Sequence, residues 1–278
     1  MAIMIGCGVL LALGLLGGWR WRSVSFATPG RDVDLTSGEV ARRYAWYVAI
    51  ALTGGVAAGV TVIGAGGRLA MRLLAVTAGA SAQGRLTEAD EIVGTISLGG
   101  TLGFVIFNGV FGGVVFGALY LVVRRFLPAG PLGGVAYGLG LLVVFGTVLD
   151  PLRRQNPDFD IVGPGWVAVV TFTLLALAFG VVLHGLTARM STWLPLLSSE
   201  RRVLVRYIAP AALAAVGFSV TAFLVLVGAV AVLATRLSAV VDIVRSPGWI
   251  IAGRVVLIGA VLLSVPNVLG SIADITTR

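Results

Sequence analysis

Two clusters of polar residues in this 278-residue chain have types and spacing suited to chemistry. In Gly64-Ala65-Gly66-Gly67-Arg68-Leu69-Ala70-Met71-Arg72-Leu73-Leu74, Arg68 and Arg72 are four apart, so on a helix both project from one face. Leu69, Leu73 and Val76 occupy a neighbouring apolar face. Guanidinium offers a rigid fork of donors to phosphate or carboxylate, which makes the pair a candidate site for an anion or a lipid headgroup. Arg254, inside the last apolar run, joins them as a third anion-binding candidate. The plainer reading is that these long side chains reach out of the membrane toward loop carboxylates.

Such carboxylates stand in two segments. Glu88, Asp90 and Glu91 lie in Thr87-Glu88-Ala89-Asp90-Glu91, which opens like a capping box and is expected to order the loop before the third apolar run. Asp150, Asn156, Asp158 and Asp160 lie in the Pro-containing segment 150–160. The alternation of Asn156, Asp158 and Asp160 resembles the opening of a calcium loop, but the glycine and the distal glutamate of that motif are missing. A salt-bridged cluster that caps the bundle is the expected arrangement, with no metal and no cofactor.

Other chemistry is sparse. His184 is the only histidine and Cys7 the only cysteine, which rules out an intrachain disulfide, a cysteine metal cluster or a bis-histidine haem. His184 is expected as a structural, interfacial residue, and Asn108 as an interhelical hydrogen-bond donor. No His-Glu-x-x-His, P-loop or Gly-x-Ser-x-Gly motif occurs, so an enzyme is not the favoured reading. All twenty basic residues are Arg, but they fall in separate loops rather than on one face, so no nucleic-acid partner is expected.

The elements that must position these residues are membrane spans. Apolar residues make up 58% of the chain and charged ones 12%, where soluble domains carry about half and a quarter. A helix needs about 20 apolar residues to cross the hydrocarbon core. Seven segments qualify, near residues 2–18, 45–66, 98–123, 131–149, 165–187, 207–234 and 249–270, giving a single all-α transmembrane domain over residues 1–278. Alternate loops then carry twelve Arg against seven, which the positive-inside rule reads as an outside N-terminus and a cytoplasmic C-terminus in the plasma (inner) membrane of a bacterium. All six Trp residues fall at proposed span ends or in loops.

Helices in lipid associate through close contact, which small residues permit. Gly99 and Gly103, then Gly109, Gly113 and Gly117, recur four apart in the third span, and Gly130, Gly134 and Gly138 repeat the spacing in the fourth. Only residues 124–129 separate these spans, so they are expected to form a tight antiparallel hairpin. Spans two to four and five to seven allow an inverted repeat, though no residue-level match supports one. The expected function is non-enzymatic: an accessory or scaffold subunit that contacts membrane lipids and other membrane-protein subunits. The alternative is a small transporter or channel for an anionic solute, drawn in by Arg68, Arg72 and Arg254.

Overall fold

The computed structural model describes residues 1–29, 36–216 and 246–278, with 222, 226, 227, 229 and 230. Regular structure among these residues is helical, apart from one isolated bridge between Leu86 and Ile92. The helices are α1 (Ala2–Trp21), α2 (Ser37–Thr77), α3 (Leu98–Val123), α4 (Pro131–Phe145), α5 (Gly165–Trp193), α6 (Arg201–Arg206), α7 (Ile208–Val216) and α8 (Pro247–Thr276). Five of them, α1, α2, α3, α5 and α8, are long and apolar enough to cross a membrane. Their length and composition are consistent with a multi-pass membrane protein. α4 is apolar but has only 15 residues, because turns follow Phe145 where a helix to residue 149 was expected. Nearly half of the expected span 207–234 lies outside the described residues.

α2 is a single helix of 41 residues. Thr36 caps it, accepting from the Glu39 N–H at 3.3 Å while the Glu39 carboxylate accepts from the Thr36 N–H at 2.9 Å. Residues 59–66 run as π-helix and the α-helix resumes through Arg68 and Arg72. From Trp46 to Arg68 is about 33 Å at 1.5 Å per residue, close to the hydrocarbon thickness of about 30 Å. This stretch of α2 is therefore long enough to cross the hydrocarbon core.

Glycine sets the seams, though not the expected ones. Val105–Phe111 of α3 is also π-helical and lies against the π-helical Gly59–Gly66 of α2. A Cβ on Gly59 would overlap the Gly109 carbonyl, one on Gly113 the Gly55 carbonyl, and one on Gly117 would lie 2.8 Å from the Gly55 Cα. The ridge of α3 is thus spent on α2. That of α4 is spent on α5, where a Cβ on Gly134 would lie 2.7 Å from the Gly180 carbonyl and one on Gly138 would overlap the Ala176 carbonyl. The expected tight α3–α4 hairpin does not form. These two helices meet through large rings instead: Tyr120 against Tyr137 at 5.1 Å, Phe116 against Phe145 at 6.3 Å, and the Tyr137 hydroxyl donating to the Phe116 carbonyl. Three glycines expected at seams are elsewhere. Gly99 and Gly103 have open space where a side chain would sit, and Gly130 serves a turn at φ +70.

The contacts fix the direction of each helix. One face of the bundle, called the first face, gathers Phe26, Trp46, Tyr47, Leu194 and Tyr207, with the Arg124 guanidinium 3.5 Å over the Phe26 ring. The opposite, second face holds the loops at 78–97 and 146–164, linked by Glu88 and Arg153. α8 starts on the first face, where Arg254 donates to the Phe126 carbonyl at 3.3 Å and Trp249 lies under Arg125. It ends on the second face, where Arg278 bonds Asp160 and Asp274, both at 3.1 Å. α1 runs the other way, from Met4 near the second face to Gly18 against Val182.

Both termini therefore lie on the second face, not on opposite faces as the alternation of seven spans requires. Charge counting fixes the direction of each span only through the parity of those before it, so the direction expected for the last span depends on the count of seven. α4 and α8 run the same way, which also removes the inverted repeat of spans two to four and five to seven.

Candidate functional site

The separation of α3 from α4 leaves a cavity of about 970 Å³ between them, floored by α2 and α5 and reaching the second face. Ligand pockets in proteins run to about 1,000 Å³. Its deep end is closed by Phe116, Phe145 and Phe179. Below them Tyr120, Tyr137 and His184 fill the space between helices, with the Tyr120 hydroxyl 2.8 Å from His184 Nδ1. His184 is buried among these rings, toward the end of α5 that faces Arg22 and Arg124.

At the mouth the structure brings together most of the residues singled out in the sequence. Arg68, Arg72, Glu88, Glu91, Asp150, Asn156 and Asp158 all line the cavity. α2 places the two arginines. Arg68 lies over the Phe104 ring at 5.9 Å and donates to Met71 Sδ at 3.8 Å; Arg72 donates to the Gly94 carbonyl at 3.2 Å. Neither is paired with a carboxylate among the described residues.

The carboxylates are engaged elsewhere. Glu88 pairs with Arg153, whose Nε is 3.9 Å from Asp150, and Asp158 accepts from the Glu88 N–H at 2.7 Å. Hydrogen bonding to Glu88 holds the Arg153 guanidinium above its ordinary pKa. Burial pushes the Asp150 carboxyl above the ordinary carboxylate value, against a weaker pull downward from Asn156 and Arg153. Asn156 also accepts from the Asp158 N–H at 2.8 Å, an Asx turn rather than the start of a calcium loop. Asp160 faces Arg278 instead. Glu91 sits beside Gly100 and Ser97 in the first turn of α3, where the helix dipole favours negative charge. Among the described residues no group of three or more His, Cys, Asp or Glu converges as for a metal ion.

Two residues singled out in the sequence lie away from the cavity, and one segment takes another form. Arg254 is on the first face, bonded to Phe126, and does not share the cavity with Arg68 and Arg72. Asp90 does not line it either; it takes φ 56 in the turn that brings Leu86 beside Ile92. Residues 87–91 form that turn instead of a helix start, because Thr87 accepts from the Glu91 N–H and also pairs with it through the backbone, while Ser97 caps α3. Asn108, expected as an interhelical hydrogen-bond donor, has a different place. It lines the cavity from the π-helical stretch of α3, and its amide makes no side-chain hydrogen bond among the described residues. A mid-span polar residue inside a run of glycines was the available signal. No protein-family model, curated protein or solved structure matches this chain.

Proposed function

We propose that this protein is a small transporter-like membrane protein that takes up a ligand carrying a phosphate or carboxylate group in the cavity between α3 and α4. One observation carries the reading: two arginines without carboxylate partners stand at the mouth of a large cavity whose deeper walls are apolar. A guanidinium at the edge of hydrocarbon binds an oxyanion more strongly than one in open water, because water competes less and the local dielectric is lower. The scaffold reading draws on the glycine-ridged helices, and the ridges of α3 and α4 are largely spent on internal seams.

The orientation follows from charge. Among the described residues the first face carries Arg20, Arg22, Arg42, Arg43, Arg124, Arg125, Arg189, Arg201, Arg202, Arg206 and Arg254, against Glu39 and Glu200. The second carries Arg68, Arg72, Arg85, Arg153, Arg154 and Arg278, against seven carboxylates. The first face is cytoplasmic on this count, the membrane is the plasma membrane, and the cavity opens outward.

The test is ligand-dependent stabilisation of the purified chain in mild detergent, with inorganic phosphate, decanoate and a phospholipid as probes. A ligand that binds only the folded state raises the melting temperature. At least one probe should do so for the parent and fail to do so for the double variant Arg68→Gln, Arg72→Gln. Absence of any arginine-dependent shift would remove the reading.

A further inference from the structure

We infer that the ligand is a membrane glycerophospholipid with an amine-bearing headgroup, its phosphodiester on Arg68 and Arg72 and its acyl chains between α3 and α4. This rests on the proposed oxyanion site and specifies the class of molecule that fills it. Three features independent of one another point to that class. The first is depth. Arg68 is one hydrocarbon thickness along α2 from Trp46, so it stands at the level of lipid phosphates rather than in a water-filled vestibule.

The second is a polar group at the next level down. Gly64 of α2 lies against Val105 and Gly109 of α3, and Gly67 against Phe104, which puts Asn108 at the height of residues 62–63. That is about 8 Å below Arg68 at 1.5 Å per residue. Asn108 is exposed into this space and makes no side-chain hydrogen bond among the described residues, so at hydrocarbon depth a ligand that satisfies its amide is favoured. Glycerophospholipids carry ester carbonyls one glycerol unit inward from the phosphate, and an Asn amide donates to a carbonyl. Beyond Asn108 the walls are Phe116, Leu141, Leu142, Phe145 and Phe179, suited to acyl chains and to little else. Phe107, at the edge of the cavity, is 71% exposed, which places the entrance on the lipid side.

The third is the charge outside the phosphate level. Glu88, Glu91, Asp150 and Asp158 surround the mouth, and Arg153 is the one cation paired with any of them among the described residues. An ammonium headgroup is attracted to this rim, and a second negative group is repelled.

The experiment uses the full chain in nonionic detergent with phosphatidylethanolamine or phosphatidylglycerol labelled at the end of one acyl chain, followed by fluorescence anisotropy. Three variants accompany it. Arg68→Gln removes the phosphate contact. Gly103→Leu places a side chain in the cavity, since Gly103 lines it and a Cβ there meets nothing within 4 Å; Gly99→Leu has equal room but lies outside it. Melting temperature reports whether each is folded.

Saturable binding of phosphatidylethanolamine is expected, weakened about tenfold by Arg68→Gln and by Gly103→Leu, unchanged by Gly99→Leu, and several-fold tighter than for phosphatidylglycerol. Equal binding by Gly103→Leu and the parent would mean lipid held on the outer surface and would overturn the inference. So would tighter binding of phosphatidylglycerol. Arginine-dependent binding of inorganic phosphate without lipid binding would overturn it while leaving the oxyanion site standing, and no binding of any probe would remove both. Should Arg68→Gln fail to fold, the Gly103→Leu and Gly99→Leu pair still decides.

Discussion

At the scale of single residues, the cavity mouth is organised by which charges already have partners. Arg153 holds Glu88 and stands near Asp150, and the Asx turn at Asn156 fixes Asp158. Arg68 and Arg72 are left with weak or neutral contacts, and that difference distinguishes chemically similar arginines. Asp150 gives a pH test of this network. Burial favours its protonated form in the native state, so its contribution to stability is complete at acidic pH and is lost as the pH rises through its native pKa. Asp150→Asn has no charge to desolvate and should melt at a higher temperature than the parent at pH 7, with the gap closing as the pH falls into the ordinary carboxylate range. The effect should stay within about 1 kcal/mol, because the side chain is half exposed and its charge partly screened. A lower melting temperature at pH 7 would show that its bonds to Asn156 and Arg153 outweigh the cost of burial.

At the scale of elements, a glycine every four residues signals a close seam without saying which helix is on the other side. The α3 ridge and the α2 residues Gly55 and Gly59 interlock backbone to backbone, so Gly59→Val should separate the helices and cost about 1 to 3 kcal/mol, as overpacked cores do. Gly99 shares the same spacing but faces open space, so Gly99→Ala should cost nothing and gain up to about 1 kcal/mol from helix propensity. Melting of both variants in one detergent checks the contrast; equal losses would mean that spacing alone defines the seam. Two π-helical stretches meet at this seam, and π-helix is rare and frequent at functional sites. Here one of them carries Asn108 into the cavity.

At the scale of the whole molecule, α3 packs on α2 and α4 packs on α5, while aromatic rings hold α3 and α4 apart at one end and the cavity separates them at the other. The six helices α1 to α5 and α8 alternate in direction, and the first and last both reach the second face. Single cysteines in a Cys7→Ala background test this with a membrane-impermeant maleimide. Ala2→Cys, Ala89→Cys and Thr277→Cys should react from one side of the membrane and Ser199→Cys from the other. Reaction of Ala2→Cys and Thr277→Cys from opposite sides would restore the expected topology.

Composition and period were enough to determine the solvent, the helical class and the positions of most spans, since an apolar run of about 20 residues has few alternatives in lipid. The Leu98–Val123 helix matches its expected bounds, and Arg68 and Arg72 share a face because their spacing requires it. The loop carboxylates were expected to pair with basic residues, and Glu88, Asp150 and Asp160 do so. Tertiary structure alone decided the rest. Which helix a glycine ridge meets depends on the shape of both surfaces. The direction of α8 depends on contacts with Phe126 and Asp160, more than a hundred residues away. Arg254 looked like a companion to Arg68 and Arg72 in the sequence, and only those long-range contacts send it to the opposite face.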